Sequence, residues 1–284
     1  MITYAFTLLA ALQAPGRDSL LAEGIRLAGP EPAAALIRFE RILAADSNDA
    51  TALWRAAVAH GDISLPLTAK KDRPRRDSLL GRGILLARRA KALAPNDPQT
   101  HFALGVLLGN SALTKGVRDR VKLAVEIRDL ARAALAADST HDGAHHLLGR
   151  WHYEIRKLSG FERFVARSFL GGGVFGEARW EEAERHLARA VELDSTRIYH
   201  RLDLARVQIA RKEAPAALAQ LRRIQGLPNR VAADTTYRRE AGELLGRITS
   251  SAAGSPSVRA AGDRQTRPRR TPGRLPAPGV AVSG

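Results

Sequence analysis

The chain repeats itself, and that constrains its fold more than any other feature. Leu86–Gly105 (LARRAKALAPNDPQTHFALG), Leu130–Gly149 (LARAALAADSTHDGAHHLLG) and Leu187–Ala205 (LARAVELDSTRIYHRLDLA, one residue shorter before its Asp) share one pattern, with a fainter copy at Arg41–Ala57 (RILAADSNDATALWRAA). Each copy reads as the end of one helix, a polar turn and the start of the next. Ala90, Ala133 and Ala190 permit close helix approach. The turn at Ala94-Pro95, Asp138-Ser139 or Asp194-Ser195 stops one helix and supplies capping groups for the next. Leu104-Gly105, Leu148-Gly149 and Leu204-Ala205 then place a large residue beside a small one where helices cross. A helix pair cannot bury its apolar face alone, so such units stack into a solenoid.

Alanine, a proline-type turn and Leu-Gly form the tetratricopeptide pattern, whose period is about 34 residues. The equivalent turn residues here are Ser47, Pro95, Ser139 and Ser195, separated by 48, 44 and 56. The excess must lie within each helix pair, as longer helices or as loops near Gly61–Asp77, Asn110–Arg118 and Ser159–Arg179. A final pair is expected at Ala214–Gly226 and Ala232–Thr249, the second member capping the open end. The expected fold is therefore all-α, a tetratricopeptide-type right-handed superhelix with expanded repeats over residues 17–249.

Composition agrees and removes several function classes. Hydrophobic residues make up 45% and aromatics 5%, which suits alanine-rich helix packing. With no cysteine there is no disulfide, thiolate zinc site or cysteine nucleophile. The net charge is +16, carried mostly by arginine. Residues 250–284 hold Arg259, Arg264, Arg267, Arg269, Arg270 and Arg274 against Asp263 among Gly, Pro and Ser, and read as a disordered basic tail. At the other end, Ile2–Ala14 is apolar and precedes Pro15-Gly16. It is too short to span a bilayer and reads either as a secretory signal within residues 1–16, which implies an exported or periplasmic protein, or as a first packed helix of a cytoplasmic one.

His146–Ser159 (HLLGRWHYEIRKLS), Val121–Asp138 (VKLAVEIRDLARAALAAD) and Trp180–Ala205 carry more than a generic repeat. Through them the chain resembles the regulator of microtubule dynamics family and its bacterial relatives, from about Ala33 to Ile248. The Gly149-Arg150-Trp151 step with Tyr153-Glu154 is the most specific part. The resemblance implies a helical scaffold without a catalytic centre; fold transfers along such a resemblance better than cellular role.

A superhelix of this kind has a concave groove lined by the first helix of each pair, with groove residues recurring every three to four positions. The equivalent column holds Trp54, Phe102, His146 and Leu202. One turn on come Val58, Val106, Arg150 and Arg206, then Asp62, Asn110 and Glu154 with Tyr153 beside it; Tyr199 completes the set. This groove is expected to be apolar at its N-terminal half and basic at its C-terminal half. It would suit a protein or peptide ligand with an apolar anchor and an acidic group, clamped by Arg150 and Arg206. Against that stands intramolecular pairing of Arg150 with Glu154 at i, i+4. Trp151 is expected to point into the next helical layer.

Other signals are weaker. His141 and His145, with His146 and His152 nearby, lack a motif such as HExxH, so no metal and no cofactor are expected. The Gly171–Gly176 run lacks the Lys-Ser/Thr of a phosphate loop and reads as a hinge. Gly160–Leu170 (GFERFVARSFL) has a basic amphipathic pattern that suits either a membrane surface or a return onto the solenoid. Lys70–Arg76 and the tail lack interleaved aromatics, so no specific nucleic acid is expected, only salt-sensitive contact. No nucleophile–base pair or paired carboxylate recurs, which leaves no catalytic residues. The alternative to a binding scaffold is a basic accessory protein on an anionic membrane surface or on nucleic acid.

Overall fold

A computed structural model describes residues 15–159 and 176–254. The described residues form eleven α-helices and a 3₁₀ turn, with no strand among them. The helices are α1 (Arg17–Ala28), α2 (Pro32–Ala45), α3 (Ala50–Ser64), α4 (Arg73–Leu93), α5 (Pro98–Ala112), α6 (Val117–Ala137), α7 (Asp142–Lys157), α8 (Trp180–Leu193), α9 (Ile198–Ala210), α10 (Ala214–Gln225) and α11 (Asp234–Gly254). They stack as antiparallel pairs into a tetratricopeptide-type right-handed superhelix.

The repeated turns work as their sequence suggests, through two sets of side chains. Asp46, Asp138 and Asp194 each accept from the backbone N–H two residues on, at 2.9, 2.8 and 3.0 Å, which turns the chain after α2, α6 and α8. Asp49, Asp97 and His141 then cap α3, α5 and α7 by accepting from Ala52, Gln99 and Ala144. Six residues beyond the turn a ring or guanidinium reaches back to its carbonyl. His101 meets Pro95 at 2.7 Å, His145 meets Ser139 at 3.1 Å and Arg201 meets Ser195 at 3.0 Å. His145 thus staples a turn.

The Leu-Gly steps set the layer spacing. A Cβ on Gly105 would lie 2.5 Å from Leu147 Cδ2, and one on Gly149 would lie 2.7 Å from Leu187 Cγ and 3.1 Å from the Ala183 carbonyl. Only hydrogen fits there. Most of the excess over the standard period lies in the second helices, since α4 and α6 are each 21 residues long. The third expansion falls mostly on residues 160–175. The Gly160–Leu170 element and nearly all of the Gly171–Gly176 run therefore lie outside the described residues, as do Ile2–Ala14 and residues 255–284. The last helix continues to Gly254, past the Ser250 boundary read from composition.

One contact changes the shape from an open groove to a ring. The turn between α1 and α2 meets the loop before α11, where the Ala232 N–H donates to the Gly29 carbonyl at 2.9 Å. The approach is close enough that a Cβ on Gly29 would stand 2.4 Å from the Arg230 carbonyl oxygen. The first and last turns of the superhelix are thereby joined.

Candidate functional site: a central cavity

Joining the ends converts the concave face into a cavity of about 790 Å³. Its wall is formed by α3, α5, α7 and α9, the first helices of their pairs, completed by α6, α11 and the closure loop. Of the residues expected in the groove, Trp54, Val58, Phe102, Val106, Asn110, His146, Arg150, Glu154, Tyr199 and Arg206 all line this cavity, together with Leu202 and Asp62.

Tyr153 does not. Neighbouring residues on a helix are turned by about 100°, so with Arg150 and Glu154 on the cavity, Tyr153 faces α8. There it is buried with Leu187, Leu204 and Val207, its ring 5.9 Å from that of Trp180. Trp151 also departs from expectation. It turns back to α6 rather than on to the next layer, and its indole N–H donates to the Ala124 carbonyl at 2.7 Å.

The larger correction concerns charge. Arg150 and Arg206 converge as the spacing predicts, but Asp203 already stands between them. Its carboxylate lies 3.4 Å from Arg150 Nε, bonds Arg206 Nη1 and lies 3.2 Å from His146 Nε2. Arg206 also bonds Glu240, with Nε at 3.1 Å, and Arg150 approaches Glu154 at 3.6 Å. Burial would raise the Asp203 pKa, but Arg150, His146 and Arg206 overrule it and hold the carboxyl far below its usual range. Burial keeps His146 neutral by lowering it to about 4, so its Nε2–H donates to Asp203. The basic end of the groove is thus an internally neutralised knot rather than an open clamp. One signal for it was present: Asp203 occupies the repeat slot filled by Ala103 and Leu147.

Near the knot, Asp142 at the start of α7 accepts from buried His200 at 2.9 Å. Burial would raise Asp142, but this bond and the His200 charge bring it down to about 2. On α3 the situation reverses. Asp62 faces the cavity without a side-chain partner, and burial raises its carboxyl to about 7 against the opposing pull of Arg197. Two turns earlier, Arg55 stacks its guanidinium over the Trp54 ring at 4.3 Å, with Nε buried and unpartnered.

One side-chain group among the described residues has metal-ligand character, away from the cavity. Ligand atoms of His152, Glu182 and His186 lie within 4.8 Å of one another. Arg185 already engages two of the three, bonding Glu182 and lying 3.2 Å from His186 Nε2. On its other side His186 Nδ1 meets His145 Nδ1 at 2.9 Å, so the group links the α6–α7 turn to α8.

The match to the family described as regulator of microtubule dynamics protein 1-3 spans residues 28–249, nearly the whole ring. The chain belongs to that family. Regulator of microtubule dynamics protein 3 of Bos taurus is 26% identical over 197 residues, covering 68% of this chain and 40% of that protein. The Xenopus laevis protein of the same name is 25% identical over 114 residues, 40% of this chain and 24% of its own length. The chain therefore spans less than half of the curated relatives it matches. Among solved structures, the thermophilic tetratricopeptide protein TTC0263 of Thermus thermophilus superposes with a TM-score of 0.56 at 18% identity, over 81% of this chain and 99% of its own. Human IFIT1 with PPP-AAAA gives 0.51 at 18% identity, over 85% and 57%. At that identity both show the fold alone.

Proposed function

We propose that this family member is a non-catalytic scaffold that takes an apolar segment of a protein or peptide partner into its central cavity. The observation that carries the reading is the cavity itself. It holds about 790 Å³, and Trp54, Val58, Phe102 and Val106 supply apolar lining on α3 and α5. Concave, mostly apolar cavities of this size with polar groups to orient a ligand are the usual form of a ligand site. The Asp203 knot supports a structural role for Arg150 and Arg206, so the partner's acidic group is not assigned to them.

A neutral fluorescent peptide, dansyl-Leu-Leu-Gln-amide, tests the reading by anisotropy. Saturable binding should vanish when the cavity is filled by Val58→Trp or Val106→Trp, each checked for helical content, and should survive deletion of residues 255–284. Binding that ignores both fillings, or that falls steeply with salt and disappears with the tail, would instead favour the basic accessory reading. Export rests on Ile2–Ala14, and N-terminal sequencing of the native protein tests it: a start beyond Ala14 supports export, a start at Met1 or Ile2 refutes it.

A further inference from the structure

Every other half-buried or buried charged side chain on the described cavity wall has an ion pair, a hydrogen bond or both; Arg55 and Asp62 have neither. They share one face of α3, seven residues apart. Seven residues rise about 10.5 Å along a helix, too far for the two to pair with each other. Both are half-buried, with Arg55 Nε fully shielded, so each has polar atoms that face the cavity and are open to a ligand group of opposite charge. Between them lies Val58, with Phe102 and Val106 also on the wall. The nearest acidic influence on Arg55 is Asp97, whose carboxylate is engaged in capping α5. Tyr199 and Tyr237, from α9 and α11, feel the Asp62 charge, and neither phenol has a hydrogen-bond partner.

Resting on the cavity reading above, we infer that α3 is a two-pole recognition strip. Arg55 receives an acidic group of an extended peptide, and Asp62 with the Tyr199 and Tyr237 hydroxyls receives a basic group about three residues away. The spacing decides the register, because an extended chain advances about 3.3 Å per residue and three residues cover the distance between the poles. Two apolar residues between the poles would then lie against Val58, Phe102 and Val106. The arrangement also separates roles that the sequence assigned to one place. The arginines that look like a clamp are spent on Asp203, whereas Arg55, half-buried and without an ion pair or hydrogen bond among the described residues, is held in place by the Trp54 ring.

Three dansyl peptides read the two poles separately: Leu-Leu-Gln-amide, Leu-Leu-Glu-amide and Lys-Leu-Leu-Glu-amide. On the full chain the Glu peptide should bind about tenfold tighter than the Gln peptide, the size of one charge-assisted hydrogen bond. Arg55→Gln should erase that preference, and Arg55→Lys should restore part of it. The Lys peptide should gain affinity as pH rises through about 7, when Asp62 ionises. Other groups around Asp62 do not titrate there. Arg197 is pushed further up, burial raises Tyr199 and Tyr237, Asp142 lies at about 2, and burial lowers His141 and His146. Asp62→Asn should flatten the profile. If the peptides bind and are blocked by Val58→Trp, yet the Glu preference survives Arg55→Gln or the pH rise survives Asp62→Asn, the strip is refuted while the cavity stands. If Val58→Trp and Val106→Trp block none of the three, both fall together.

Discussion

Replacing Asp203 by asparagine tests whether the knot holds the ring together. The side chain is 5% exposed and touches Arg150, Arg206 and His146 at once. Asparagine keeps the volume but removes the charge between the two guanidinium groups, leaving them only Glu240 and the half-exposed Glu154. Breaking a buried ion pair by removing one partner costs about 3–5 kcal/mol. For a folded unit of this size, 1 kcal/mol corresponds to about 2–4 °C, so the melting temperature should fall by roughly 6–20 °C. Glu154→Gln is the control: its pair with Arg150, at 3.6 Å, joins side chains 36% and 45% exposed, and such pairs contribute about 0–1 kcal/mol. Urea unfolding of both variants at neutral pH, with thermal melts alongside, gives the comparison. A loss below about 1 kcal/mol for Asp203→Asn, or equal losses for the two, would refute the claim that Asp203 neutralises the wall.

Three further outcomes follow from the same structure. Gly29→Ala should break the ring closure, because its Cβ would meet the Arg230 carbonyl oxygen at 2.4 Å; stability should fall by about 1–3 kcal/mol and probe peptides should exchange faster in stopped flow. Burial holds His146, His152 and His186 at about 4 each, well below the unfolded value of about 6.5. Their contribution is fully present above pH 6.5 and is lost as pH falls through that window towards 4, so urea midpoints should drop between pH 7.5 and pH 5; an unchanged midpoint would contradict neutral burial. Tyr153→Ala should cost about 3 kcal/mol in unfolding experiments while leaving peptide affinity unchanged, since the ring packs on Trp180 and not on the cavity.

The sequence by itself determined the helices, the turns, the pairing and most of the cavity wall. Those features are local. A capping Asp acts within three residues, Leu-Gly steps recur with the unit, and groove positions follow helical spacing from Trp54 to Arg206. Tyr153 shows the limit of spacing, because a turn of about 100° separates a wall residue from a core residue. Tertiary structure alone decided three things: that the ends meet at Gly29 and Ala232, that Asp203 occupies the arginine pair, and that Arg55 and Asp62 are left without partners. Each depends on groups far apart in the chain arriving at one point, and the net rotation per repeat that brings them there accumulates from every long helix. No single repeat encodes that sum, so the residues of the cavity can be read from sequence while its closure and its free charges cannot.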